Sequence, residues 1–188
     1  MYQDRIPRRA ESEGADAPQS LPPNAKPLPQ ELHSAYAAKP FEKCSSCSAR
    51  LDSGCLYEIQ KVFRMGEVIF EMALCQTCGE EACREFSEES MEALKGFLMC
   101  NFTPSPASCH CNFCGFPRAI LDRFTLIGAC QEQSLLLPPI TLCDGCAEAL
   151  QCRVSPKTRE TQEEFLRKNF PGVPGALDLN PSIGGFLA

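Results

Sequence analysis

Four pairs of cysteines, each with two residues between its members, constrain the fold of this chain more than any other feature. The pairs are Cys44/Cys47, Cys75/Cys78, Cys111/Cys114 and Cys143/Cys146. They form two couples, because 27 residues separate the first two pairs and 28 separate the last two. A CxxC step lets two thiolates reach one metal ion, and two steps complete the tetrahedral shell of a closed structural zinc site. The sequence therefore predicts an internal repeat and two zinc ions.

The repeat divides the 188 residues into two small modules. We expect the first four-cysteine module at 41–100, a linker at 101–108, and at 109–170 the second module with a C-terminal helix. A module of about 60 residues has a marginal apolar core, and a metal ion commonly supplies the missing stability. Zinc binding to such modules is coupled to folding and contributes roughly 10 to 16 kcal/mol. Removal of zinc is therefore expected to unfold each module.

The two ends of the chain have different compositions from the modules. Residues 1–40 are rich in proline and poor in large apolar side chains, which predicts a disordered arm. Residues 171–188 form a tail rich in proline and glycine, interpreted either as frayed or as a short apolar motif that packs on a protein surface. No signal peptide and no membrane-spanning run is recognisable. We therefore expect a cytoplasmic protein whose 14 cysteines are thiols or metal ligands.

Each module carries the same predicted order of elements. In the first, apolar runs on both sides of Gly66 predict a β-hairpin that leads to Cys75, and an apolar stripe after Cys78 predicts a helix. In the second, Pro138 and Pro139 indicate that the returning strand is either at an edge of the sheet or interrupted there. A short helix follows Cys146, and a further helix is expected to begin at the Ser-Pro step of residues 155–156.

This order of cysteine turn, hairpin and helix that begins at the second cysteine pair resembles treble-clef zinc fingers, over about residues 41–100 and 107–153. The second module also resembles, in short motifs, the zinc-binding domain of the ClpX chaperone. The matching stretches are Cys111-Asn112-Phe113-Cys114-Gly115 and Leu142-Cys143-Asp144-Gly145-Cys146-Ala147-Glu148. The resemblance implies a small zinc-stabilised α+β fold with two tandem treble-clef-like modules, and protein binding. Gly79, directly after Cys78, leaves a zinc ribbon as the alternative.

Six cysteines lie outside the four pairs, and one of them makes the second ligand set ambiguous. Cys109 could replace Cys111, or His110 could be a ligand, although the matched repeat favours Cys111 and Cys114. We interpret Cys55, Cys83 and Cys130 as buried thiols of the apolar core. Iron is the alternative metal, because it also accepts four tetrahedral thiolates.

The residue inventory favours binding over catalysis. A catalytic zinc keeps an open position with three protein ligands, whereas four thiolates saturate each predicted site. The chain has only two histidines, and no phosphate-binding loop is recognisable. We therefore predict a noncatalytic zinc-binding protein that acts as a protein–protein interaction adaptor or regulatory module. The sequence does not define its partner or its oligomeric state.

Two alternatives from other functional classes remain. A nucleic-acid-binding regulator is disfavoured by the formal charge of −6, and residues 41–100 carry 6 Lys and Arg against 11 Asp and Glu. It would need several basic residues of the second module on one face, namely Arg118, Arg123, Arg153, Lys157, Arg159, Arg167 and Lys168. The other alternative is a redox-responsive zinc switch, in which oxidation of thiolates ejects the metal.

Overall fold

The computed structural model describes residues 25–52, 54–105 and 108–172. Within these ranges the chain forms a small α+β structure with one six-stranded antiparallel sheet and four α-helices. In chain order the elements are β1 Lys26–Pro27, β2 Leu56–Arg64, β3 Glu67–Cys75, α1 Gln76–Cys83, α2 Glu88–Asn101, β4 Arg123–Gln131, β5 Ser134–Leu135, β6 Ile140–Cys143, α3 Asp144–Gln151 and α4 Pro156–Asn169. None of the helices in the described ranges is both long enough and apolar enough to cross a membrane.

The two predicted hairpins are present. Strands β2 and β3 pair through the two-residue turn Met65-Gly66, whose φ angles of 51° and 83° are those of the hairpin turns that match strand twist. In the second repeat, β4 pairs with both β5 and β6. The chain is not in a strand at Pro138 and Pro139, because proline offers no N–H to a ladder.

The two hairpins belong to one sheet. Strand β2 pairs with β4 along its whole length, from Leu56↔Gln131 to Arg64↔Arg123, and the resulting order is β1-β5-β4-β2-β3 with β6 on β4. Gln60 lies opposite Ile127 at the centre of this pairing. Ile127 follows Gln60 by the same 67 residues by which Cys111 follows Cys44. An approximate two-fold axis therefore passes between β2 and β4 and relates the repeats.

The helices are exchanged between the repeats. Phe97 and Leu94 of α2 belong to one buried cluster with Ile127 and Leu142 of the second repeat. In the opposite direction, α4 of the second repeat packs against the core of the first, where the rings of Phe70 and Phe170 lie 5.3 Å apart. We call this arrangement the helix exchange. Each repeat thus covers the apolar face of the other.

The starts of the exchanged helices are joined by four hydroxyl side chains, which we call the crossed caps. Ser87 and Ser155 are the N-caps of α2 and α4 and accept hydrogen bonds from the backbone N–H groups of Ser90 and Thr158. The backbone N–H of Ser155 donates to Ser90 Oγ at 2.8 Å, and that of Ser87 donates to Thr158 Oγ1 at 3.2 Å. Each helix start is therefore completed by a hydroxyl from the other helix.

The apolar stripe that follows Cys78 is divided between α1 and α2. The two helices are separated at residues 84–87, where Ser87 accepts from the N–H of Ser90 and caps a new helix start. The apolar stripe predicts a single helix, and the structure differs because Ser87 caps a second helix start within it.

The prediction of a disordered arm over 1–40 is wrong for residues 25–40, and residues 1–24 lie outside the described residues. Strand β1 pairs with β5, and Leu28 and Leu32 are buried in the core. Leu32, which is 0% exposed, lies directly over Gly128, where a Cβ atom would come within 2.7 Å of its Cδ1 atom. The proline content hid these two leucines, which supply enough apolar contact to order the segment.

An ion pair between the buried Lys61 and the half-buried Glu71 also holds this segment on the sheet. Lys61 and Glu71 face each other across β2 and β3, with Nζ and Oε2 3.4 Å apart. Glu71 accepts hydrogen bonds from Ser34 Oγ at 2.7 Å and from the backbone N–H of Ala35 at 2.8 Å, and Lys61 Nζ donates to the carbonyl of His33. Burial alone would raise the pKa of Glu71, but these donors and Lys61 lower it below its ordinary value.

At the C-terminal end, Pro171 and Gly172 form a turn after α4, as expected. The remainder of the predicted tail, 173–188, lies outside the described residues.

Candidate metal centres

The first candidate centre is built from a turn and a helix start. Cys44 and Cys47 lie in a tight turn, where the N–H of Cys44 donates to the carbonyl of Ala49 at 2.8 Å and Ser48 has a φ of 61°. Cys75 ends β3 and caps α1, and Cys78 lies in the first turn of that helix. The four sulfur atoms all lie within 4.8 Å of one another.

The second candidate centre repeats this construction. The N–H of Cys111 donates to the carbonyl of Phe116 at 2.8 Å, and Gly115 has a φ of 75°. Cys143 ends β6 and caps α3, which contains Cys146. The sulfur atoms of Cys111, Cys114, Cys143 and Cys146 again lie within 4.8 Å of one another. The structure therefore brings together all eight cysteines of the four pairs in two groups of four.

The sulfur spacing fits a tetrahedral metal ion. Zinc–sulfur bonds of about 2.3 Å place the corners of a tetrahedron about 3.8 Å apart. The sulfur atoms of Cys47 and Cys75 are 3.7 Å apart, and those of Cys114 and Cys143 are 3.6 Å apart. Each group could hold a metal ion through its four thiolates alone, consistent with zinc, and tetrahedral iron would use the same ligands.

Backbone N–H groups prepare the first cysteine of each group for the thiolate form. The N–H of Cys75 points at Cys44 Sγ at 3.4 Å, and the N–H of Cys143 points at Cys111 Sγ at the same distance. Burial alone would raise the pKa of Cys44, but donation from three backbone N–H groups lowers it to about 7. The pKa of Cys111 is lowered for the same reasons. These two sulfurs carry negative charge most readily.

The cysteines at the helix starts behave in the opposite way. Burial raises the pKa of Cys143 to about 11, with a further contribution from the neighbouring sulfurs. Burial and the adjacent thiolates likewise raise the pKa of Cys75, Cys78 and Cys146. Four crowded thiols cannot all ionise together unless a cation neutralises them, which is what a divalent metal ion does.

One polar residue in each turn fixes the cysteine groups to the sheet, and the sequence interpretation missed it. Ser45 exchanges hydrogen bonds with Ala73, whose N–H donates to Ser45 Oγ at 2.9 Å. Asn112 does the same with Thr141, whose N–H donates to Asn112 Oδ1 at 2.7 Å. Because these contacts join the first cysteine turn to the last strand, they position both halves of each sulfur group. The signal available in the sequence was a short polar residue at the same place in both repeats.

The ambiguous pair Cys109 and His110 lies beside the second group. Cys109 Sγ and His110 Nδ1 are 3.0 Å apart, and both residues are exposed. The turn contributes Cys111 and Cys114, and neither Cys109 nor His110, to the second group of four sulfur atoms. Of the other cysteines, Cys130 is a buried core thiol whose pKa burial raises to about 12. Cys55 and Cys83 are only half-buried, and Cys100 and Cys152 are exposed.

Comparison of the chain with protein-family models, curated proteins and solved structures yielded no match. The structure itself shows a small α+β protein with two successive four-cysteine sites, and the arrangement of each is consistent with zinc. The similarity of the second module to the ClpX zinc-binding domain stays a prediction from short motifs.

Proposed function

We propose that this chain is a noncatalytic zinc-binding protein of the cytoplasm, an interaction adaptor or regulatory module made of two treble-clef-like units. The observation that carries the proposal is the pair of closed four-sulfur groups. In each, the first cysteine pair lies in a turn and the second at a helix start, which supports the treble-clef-like units that we propose. Four thiolates leave no position for water or substrate on a tetrahedral zinc, so the metal stabilises structure.

A groove at the end of the β2–β3 hairpin supports a role in protein binding. Its volume is about 510 Å³. Met65 and Ile120 border it and are 79% and 68% exposed, and the ion pair of Arg118 with Glu31 lies at its side, with 2.7 Å between the charged atoms. Exposed apolar residues flanked by polar groups are typical of protein interaction sites. We call this site the hairpin groove; it is lined by Glu31, Phe63, Met65, Gly66, Phe124 and residues 118–122.

The basic residues required for nucleic-acid binding are partly engaged within the chain. Arg118 pairs with Glu31 and stacks on the ring of Phe124, 5.2 Å from its centre. Arg123 pairs with Asp144 at 3.1 Å. Side chains held by carboxylates are poor phosphate ligands, which favours the adaptor over the nucleic-acid regulator.

Two measurements test this function. Elemental analysis of protein purified without added metal should give two zinc ions per chain. A photo-crosslinking amino acid placed at position 65 should capture one specific polypeptide in cells of the source organism, and the capture should persist at high salt. The matched control places the same group at Met99 on α2, which is 87% exposed and lies outside the hairpin groove.

Either result can refute the proposal. Absence of bound metal would exclude the zinc-binding role. Equal capture from positions 65 and 99, together with salt-sensitive retention on DNA or RNA, would exclude the adaptor and favour the nucleic-acid regulator.

A further inference from the structure

We infer that the two metal sites load and release zinc as one cooperative unit, so that this chain switches between a metal-free state and a two-zinc state. The inference rests on the proposed zinc-binding function and adds its regulation. It follows from how the two repeats complete each other around the two sulfur groups.

The second site depends on a helix from the first repeat. Cys143 and Cys146 are held by the start of α3, and α3 packs through Ala147 and Leu150 into the cluster that contains Phe97 of α2. Helix α2 follows α1, the helix that carries the ligands of the first site. An empty first site no longer anchors α1, and the surface on which α3 rests is weakened.

The first site depends on the second repeat in the same way. Asn169 at the end of α4 accepts a hydrogen bond from Ser46 Oγ at 2.9 Å, and Ser46 lies between the ligands Cys44 and Cys47. The ring of Phe170, directly after α4, packs on Phe70 of β3, the strand that ends at Cys75. Helix α4 thus contacts both the turn and the strand that present the first sulfur group.

Two further connections make a half-folded chain unfavourable. Strands β2 and β4 are paired along their whole length, so unfolding of one repeat exposes the edge and apolar side chains of the other. The crossed caps add Ser90 and Thr158, both fully buried, whose hydroxyls would lose partners on the other helix. Metal binding to one site therefore stabilises the elements that form the other. Coupling between sites in proteins commonly changes affinity by about 5- to 150-fold, and we expect at least a tenfold effect here.

The first test uses the unmodified chain. Metal-free protein is mixed with one equivalent of zinc and its species are counted by native mass spectrometry. Independent equal sites would leave about half of the molecules with one zinc ion, and unequal independent sites would leave more than half. We expect mainly metal-free and two-zinc molecules. A one-zinc population of half or more would overturn the inference.

The second test measures each site in the absence of the other. The variant Cys44→Ser/Cys47→Ser removes the first site, Cys111→Ser/Cys114→Ser removes the second, and Cys100→Ser serves as the control because Cys100 is exposed and outside both groups. Competition with a fluorescent zinc chelator should show at least tenfold weaker binding at the remaining site of each double variant than in the control. Affinities within twofold of the control would overturn the inference.

The two proposals fail in different ways. A chain that binds no zinc refutes the zinc-binding function itself. A chain that binds two zinc ions independently retains that function and refutes only the cooperative loading. If a double variant does not fold, the mass distribution of the unmodified chain decides the question.

Discussion

The contact of Leu32 with Gly128 gives a direct test of how residues 25–40 are held on the sheet. Leu32 is fully buried, so Leu32→Ala should lower the free energy of unfolding by about 3 kcal/mol, in the lower half of the range for buried leucines. Gly128→Ala places a methyl group 2.7 Å from Leu32 Cδ1 and 3.3 Å from Leu135 Cδ1. Such overpacking costs about 1 to 3 kcal/mol. The lower backbone entropy of alanine in the unfolded chain offsets about 0.5 to 1 kcal/mol of that cost.

The two substitutions should compensate each other. In the double variant the new methyl group enters the space that Leu32 leaves, so the combined loss should be at least about 1 kcal/mol smaller than the sum of the single losses. The assay is urea denaturation of the zinc-loaded chain. Gly96→Ala in α2 is the matched control. Apart from its chain neighbours and the backbone of its own helix, nothing lies within 4 Å of the new methyl group. Helix propensity should therefore raise stability by about 0.5 to 1 kcal/mol.

A small effect would refute this description of the N-terminal segment. If Leu32→Ala costs less than about 0.5 kcal/mol, the segment does not contribute a buried leucine to the core. Strict additivity of the two substitutions would contradict the direct contact between the leucine side chain and the glycine.

Three further results are expected from other parts of the structure. Glu71→Gln leaves the buried ammonium of Lys61 without its carboxylate. In urea denaturation it should lower the free energy of unfolding by about 2 kcal/mol, less than for a fully buried ion pair because Glu71 is partly exposed. Replacing both residues by apolar ones should recover most of that loss. Thr158→Val removes a buried hydroxyl from the crossed caps and should cost about 1 to 3 kcal/mol, whereas Thr161→Val on the same helix should have little effect. Because the pKa of Cys143 in the metal-free chain is about 11, this thiol is protonated at pH 7 and must lose its proton when zinc binds. The affinity for zinc should therefore fall as the pH falls. Calorimetry in buffers of different ionisation enthalpy should detect the proton release. An uptake of zinc that does not depend on pH would contradict the assigned ligands.

The sequence was most informative where the chemistry is local. The spacing of Cys44, Cys47, Cys75 and Cys78 predicts a four-sulfur group because each CxxC step brings its own two ligands together, and a hairpin joins the steps. The turn at Met65 and Gly66 was equally accessible, since the apolar runs on both sides and the glycine define it. These features depend on residues that lie close together along the chain.

Features that depend on distant residues could not be predicted in the same way. Pairing of β2 with β4 joins residues that are 59 to 75 positions apart, and nothing in the sequence of either strand identifies the other as its partner. The helix exchange depends on which apolar face each helix covers. The apolar pattern around Phe97 or Phe170 shows that the residue packs on a core, and it does not show which repeat supplies that core. Leu32 was hidden because a proline-rich composition outweighed two isolated leucines. The clue to the symmetry was the repeat offset of 67 residues, which matches Gln60 with Ile127.

The two-fold relation between the repeats has a consequence for the history of the chain. A single ancestral repeat would expose the β2 edge and the apolar face that the helix exchange now covers, and only a second identical copy could supply both. Such a chain would have folded as an obligate homodimer, whose stability falls on dilution. Duplication and fusion through the segment at 101–108 would place both repeats in one chain, so that their association no longer depends on the protein concentration. A fused chain no longer needs identical halves, and the two repeats here differ in sequence: Tyr57 occupies the place that Phe124 holds in the other repeat.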